Sequence, residues 1–330
     1  MSDALRRHTF ENRLPIRPNI LEFSGGKAML MKTNTEHQLK RRWSVGATWG
    51  IIGFALACGC AKPVSPTPGR HIIVSILPQQ SFVSEIAGDR FTVEALVQAG
   101  RSPETYAPTL RQMNSIGAAA AFFHIGMPFE HTMLPRLSER FPDLSIVDCR
   151  QGIEMRRLSE SEGYGHDHVG DDPHVWLDPM NAKRISAGIR DELIRLDPNG
   201  ATVYKANFDR FAERLNELHD RLTTLLAPVR DRKIYVFHPA YGYFTDAYGL
   251  QQVAVEYGGN QPSAKHLTKL IEQARRESVR AVFVQPQFSQ QAATTIAKAI
   301  EGAVVPLDPL VADYIADLDA VAEKIAAALQ

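Results

Sequence analysis

The run "GATVYKANFDRFAERLNELHDRLTTLL", residues 200–226, decides the architecture. Tyr204, Phe208, Phe211, Leu215, Leu218, Leu222 and Leu225 recur at alternating spacings of four and three, which draws one apolar stripe along a continuous helix. At 1.5 Å per residue such a helix is about 40 Å long, enough to run beside two lobes. A coiled-coil dimer is the other use of such a stripe. With only about four heptads present, a helix that backs an intramolecular core is expected instead.

Outward from this helix, both flanks alternate β-branched runs with helical patterns. On the N-terminal side, "HIIVSIL", "FTVEALV", "AAAFFHIG" and "LSIVDC" read as strands, and "PQQSFVSEIAG", "TLRQMNSIG" and "FEHTMLPRLSERF" as helices. On the C-terminal side the strands are "KIYVFHP", "QQVAVEY", "VRAVFVQP" and "AVVPLDP". The helices there are "SAKHLTKLIEQARRES", "SQQAATTIAKAI" and "DYIADLDAVAEKIAAAL". Alternation of this kind predicts an α/β fold in which mostly parallel sheets are covered by helices. The expected organisation is a lobe over residues 71–199, a linking helix over 200–227, and a second lobe over 228–330.

The first 70 residues have a different character. "KRRW" at 40–43 precedes the apolar run "GIIGFALAC" that ends at Cys58, a basic flank and short apolar core that read as a signal peptide over 29–58. The core falls short of the about 20 residues that a permanent membrane helix needs. Small residues before Cys58 resemble a lipobox, which makes Cys58 the expected site of acylation and the membrane lipid an expected partner. Cys60 is a second candidate, and cleavage without a lipid is the plainer alternative. Residues 59–70, rich in Pro, Ser and Thr, read as a flexible tether. Residues 1–28 precede the basic region and read as an over-extended start.

Composition removes several functions. The 330 residues carry 37 Lys plus Arg against 37 Asp plus Glu, a formal net charge of zero, so the basic footprint of a nucleic-acid binder is missing. Three cysteines cannot build a disulfide framework.

Ligands of open parallel sheets bind outside the carboxyl ends of strands. Four candidate metal ligands sit in such places, each beside a proline: Glu104 in "SPETYAPT", His174 in "DPHVWLDP", His238 in "VFHPAYGYF" and Asp308 in "VPLDPL". Singly, each reads as a turn, cap or hydrogen-bonded residue. Together, two imidazoles and two carboxylates suit a borderline first-row divalent ion. His124 and His131 lack the proline context. His166 and His168, in "GHDHVG", read as an auxiliary metal loop beside the site, with a solvated loop as the alternative.

These segments, together with "SPETYAPTLRQM", "DPHVWLDPMNA", "GGNQPSAKHL" and "VFVQPQFS", resemble a known family from about Ile72 to the C-terminus. It is the cluster A-I group of metal-binding solute-binding proteins, ZnuA-like lipoproteins of zinc and manganese ABC importers. The resemblance implies two α/β lobes joined by a long helix, with a metal in the cleft between them. It places the ligands on Glu104, His174, His238 and Asp308. It also implies Zn²⁺ as cargo, with Mn²⁺ as the alternative, and an ABC-transporter permease as partner. The expected protein is a monomer, lipid-anchored outside the inner membrane, and not an enzyme. Glu104 departs from the family pattern, which usually has histidine at that position. Two other functions are weighed against this one: a metallohydrolase using the same ligands, and a metal-free adhesin-like derivative. No H-E-x-x-H segment is present to support hydrolysis.

Overall fold

The computed structural model describes residues 70–158, 171–256, 260–310 and 312–330. The signal-peptide and lipidation assignments, Cys58 among them, and the loop histidines His166 and His168 lie outside the described residues.

The N-terminal lobe is built from β1 (His71–Val74), α1 (Leu77–Ala87), β2 (Thr92–Ala95), α2 (Leu110–Gly117), β3 (Ala121–His124), α3 (Pro128–Arg140), β4 (Ser145–Asp148) and α4 (Pro179–Leu196). The C-terminal lobe comprises β5 (Lys233–Val236), α6 (Gly242–Tyr248), β6 (Gln251–Ala254), α7 (Ala264–Arg276), β7 (Ala281–Val284), α8 (Gln291–Ala299), β8 (Ala303–Pro306) and α9 (Tyr314–Leu329). Each lobe holds one four-stranded sheet, ordered β2-β1-β3-β4 and β6-β5-β7-β8. Every strand pairing in them is parallel. The interior strands β3 and β7 are buried at all four positions, as a strand covered on both faces must be. The edge strands β4 and β8 are half-buried or exposed.

Between the lobes runs α5, Ala201–Leu226, 26 residues. It packs on α1 and α4 of the first lobe and on α6 and α9 of the second. Tyr204, Phe211, Leu215, Leu218 and Leu222 of the expected stripe are buried. Phe208 and Leu225 are only half-buried, and Ala212 and Leu226 are buried instead. A stripe with heptad spacing drifts by about 20° per heptad on a straight helix, so not every member can stay over the core. Phe208 is covered by the Arg190 guanidinium, 4.4 Å from the ring centre. The side chains beneath α5 belong to one hydrophobic core that continues from Ile72 to Ala326, through both lobes.

Helix α4 goes beyond the sequence expectation. Its 18 residues start at Pro179 behind Asp178, whose carboxylate accepts a hydrogen bond from Met180 N at 2.9 Å. An Asp cap followed by proline in the first turn is a helix start that "LDPMNA" carries in plain sight. Cys149, just beyond β4, is a buried free thiol that accepts a hydrogen bond from Gln79 Nε2 at 3.3 Å. Burial pushes it up to about 12, so it stays protonated at neutral pH.

Candidate metal centre

Strand register places one half of the site. Val236 of β5 pairs with Ala254 of β6, so His238 and Glu256, each two residues beyond those positions, emerge side by side. His238 Nδ1 lies 2.8 Å from Glu256 Oε1. Its main chain is clasped as well: His238 N donates to Gln285 Oε1 at 3.1 Å, and Gln285 Nε2 donates to His238 O at 2.6 Å. Phe288 stacks on the imidazole at a ring separation of 5.0 Å.

The other half comes from the segment entering α4. His174 Nδ1 is 2.7 Å from Asp172 Oδ1, and the same oxygen accepts from His174 N at 3.0 Å. Asp172 is fully buried, and its second oxygen meets Arg156 Nη1 at 3.2 Å. Arg156 also reaches Asp246 of α6 at 2.8 Å, which ties this segment to the opposite lobe.

In both histidines the carboxylate fixes Nδ1 as the protonated nitrogen and leaves Nε2 with its lone pair free, the arrangement that metal-binding imidazoles use. The two Nε2 atoms face each other at 3.3 Å. Two nitrogens bound tetrahedrally to one zinc at about 2.0–2.1 Å would stand about 3.3–3.4 Å apart. The side chains are 6% exposed for both His174 and His238.

Glu104 is the third member. Its loop follows β2 and is pinned by Tyr106 Oη donating to Leu96 O at 2.8 Å and by Ser102 Oγ accepting from Glu104 N at 3.3 Å. Glu104 Oε1 lies 3.7 Å from His238 Nε2, is sealed from solvent, and has no hydrogen-bond partner among the described residues. Leaving a carboxylate oxygen buried and unmatched is costly, and a cation would offset that cost. Glu104, His174 and His238 offer ligand atoms all within 4.8 Å of one another, around a cavity of about 10 Å³, the room of a single ion.

Asp308 lies outside this group of three. Its Oδ1 accepts from Gln287 Nε2 at 2.8 Å and from Leu310 N at 2.9 Å. Together with burial, its charge raises the Tyr241 phenol well above the ordinary value. His124 is also elsewhere: its Nδ1 is 3.6 Å from Glu130, a buried carboxylate that accepts from Ile125 N, Gly126 N, Met127 N and Ser75 Oγ and so closes the start of α3.

Asp172, Glu256, Gln285 and Gln287 were not among the sequence candidates. Asp172 stands two residues before His174 in "DDPH", and Glu256 ends the strand "QQVAVE", so both were within reach of a register argument. Removing either orienting carboxylate while keeping its shape, as Asp172→Asn or Glu256→Gln, is expected to weaken metal binding about 10–100-fold. Chelator competition with Zn²⁺ on the two variants would check this. Unchanged affinity in both would mean that the carboxylates do not orient ligands.

Residues 72–328 match the family described as zinc-uptake complex component A, periplasmic. The manganese-binding lipoprotein MntA of Halalkalibacterium halodurans is 30% identical over 73% of this chain and 80% of its own length. The high-affinity zinc uptake system protein ZnuA of Paracoccus denitrificans is 30% identical over 78% of this chain and 88% of its own. Among solved structures, a crystal structure of ZnuA superposes with a TM-score of 0.74 and 37% identity, covering 79% of this chain and all of that one.

Proposed function

Starting from the zinc-uptake complex component A family, to which this chain belongs, we propose that it is an extracytoplasmic receptor. It captures a divalent metal ion between its lobes and delivers it to an ABC-transporter permease. Zn²⁺ is the expected cargo, and Mn²⁺ is the alternative that the mixed nitrogen and oxygen donors admit. One observation carries the reading: two buried imidazoles present their Nε2 atoms to each other at 3.3 Å, each with Nδ1 held by its own carboxylate. Glu104 supplies a third donor, and Asp308 belongs to the site through Gln287. A cavity of about 10 Å³ suits an ion as cargo.

Competition titrations of the purified protein with Zn²⁺ and Mn²⁺ test the proposal. Tight stoichiometric binding of one ion supports it, and the absence of tight binding of either would end it. The same titration run against pH gives a second expected outcome. Burial alone would lower the affinity of His238 for a proton, but the hydrogen bond and charge of Glu256, with Glu104 and Asp172 behind them, raise it above the ordinary value. Protonated His238 cannot coordinate, so binding should be complete above that raised value and fall as pH drops through it. The loss should begin at a higher pH than for an ordinary imidazole near 6.5.

We also propose that the protein is a monomer held at the membrane by a lipid on Cys58, with His166 and His168 forming an auxiliary metal loop. The apolar run and small residues before Cys58 support the first of these. Cys58→Ala is expected to move the protein from the membrane fraction to the soluble fraction and to abolish palmitate labelling. Label that persists until Cys60 is replaced would reassign the anchor.

A further inference from the structure

Arg156 stands between the segment that carries His174 and the second lobe, and its side chain is only 17% exposed. Nη1 donates to Asp172 Oδ2 at 3.2 Å, and Nε donates to Asp246 Oδ2 of α6 at 2.8 Å. The main chain repeats this double attachment. Arg156 O accepts from Asp172 N at 2.7 Å, and Arg156 N donates to Tyr243 Oη of α6 at 2.8 Å. Gly242, the first residue of α6, is what lets the guanidinium lie so close. A Cβ there would stand 2.3 Å from Arg156 Nη1 and 2.6 Å from Asp172 Oδ2. Each attachment leads to an imidazole. Asp172 Oδ1 lies 2.7 Å from His174 Nδ1 and orients that ring. Helix α6 begins four residues after His238, across a buried link in which Ala240 N donates back to His238 O at 2.8 Å.

We infer that Arg156 is a positioning residue that sets the separation of the two imidazoles, and with it the preference for zinc over manganese. The inference rests on the metal-receptor reading above and deepens it. A planar, forked guanidinium can serve two carboxylates in different directions at once, which the compact ammonium of a lysine cannot match. Through Asp172 it holds His174, and through α6 it holds the element that follows His238. The Nε2 separation of 3.3 Å that results is the one a tetrahedral zinc asks for, with bonds of about 2.0–2.1 Å. Manganese favours octahedral, oxygen-rich surroundings and gains less from that spacing. Loosening the brace therefore removes an advantage that belongs mainly to zinc.

The test uses the full chain and two variants, Arg156→Lys and Gly242→Ala, each titrated with Zn²⁺ and with Mn²⁺ against a chelator. The lysine keeps a cation beside the buried Asp172 but gives up the fork. The alanine keeps every charge and pushes the guanidinium away from the side of the second lobe. Each is expected to weaken zinc binding about tenfold, the lower end of what orienting partners contribute. Manganese binding should weaken less, so the ratio of the two affinities falls. A merely structural role would weaken both metals alike. Circular dichroism accompanies the titrations, and if one variant does not fold the other decides. Equal losses for the two metals, or zinc affinity unchanged in a folded variant, would overturn the inference. His174→Ala in the same series separates the two readings. If it binds like the parent protein, the metal site itself is wrong; if it loses binding while the ratio in the other variants holds, only the brace is wrong.

Discussion

His174→Ala is expected to cost the protein its tight metal binding, with a loss on the order of a hundredfold or more, since losing an orienting carboxylate alone costs about 10–100-fold. The expectation follows from the geometry. Alanine removes one of two facing nitrogens and leaves His238 Nε2 and Glu104 Oε1 as the remaining pair, 3.7 Å apart. Asp172 would stay buried but would keep Arg156 and the main-chain N–H of residue 174 as partners, so the fold should survive. Circular dichroism unchanged from the parent, together with a loss of affinity in chelator competition, is the expected pair of results. A His174→Ala protein that still competes with the chelator as the parent does would remove His174 from the site.

The second large effect is on stability. Trp176 is fully buried two residues after His174, and its ring lies 5.3 Å from that imidazole. Its indole Nε1 donates to Pro309 O at 2.8 Å, and its own carbonyl accepts from Tyr314 Oη. The residue is therefore a bolt from the first lobe into the loop and helix of the second. Trp176→Ala should destabilise the protein by about 3–5 kcal/mol through the lost burial and the cavity left behind. For a chain of this size that lowers the melting temperature by roughly 10 °C. Trp176→Phe fills most of the space but leaves Pro309 O unpaired, and should cost about 1–3 kcal/mol. Thermal unfolding of the metal-free proteins would check the ranking. A Trp176→Ala protein as stable as the Phe variant would mean that the indole does not join the lobes.

Particular residues show why the fold was readable from the chain and why part of the site was not. The strand runs "HIIV", "AFFH", "KIYV" and "AVFV" have at least three consecutive apolar residues with no polar alternation, as a strand covered on both faces needs, and each is a strand of a parallel sheet. The stripe from Tyr204 to Leu222 was legible because a helix pressed on a core must repeat its apolar residues. His174 and His238, which the structure brings together, were proposed from chemistry and position: imidazoles beside prolines, His238 at a strand end and His174 in the loop before α4. Asp308 had the same context, and its Oδ1 accepts from Leu310 N, two residues on, and from Gln287, a partner 21 residues away that no reading of the local segment would supply. Asp172, Glu256 and Gln287 carry no signal as isolated letters. Their roles exist only once strand register and loop contacts bring them to a histidine or an ion-sized space.

Helix α5 buries its stripe against both lobes, and the core beneath it does not stop at the boundary between them. Neither sheet can melt without baring one flank of this helix to water, at a cost of roughly 25 cal/mol for each Å² of apolar surface exposed. Two sheets that look like separate domains thus share a single thermodynamic fate. An ion bound at their junction stabilises the folded state of the entire molecule, in proportion to the logarithm of its free concentration over the dissociation constant. Metal supply in the surroundings is therefore written directly into how long the whole receptor survives.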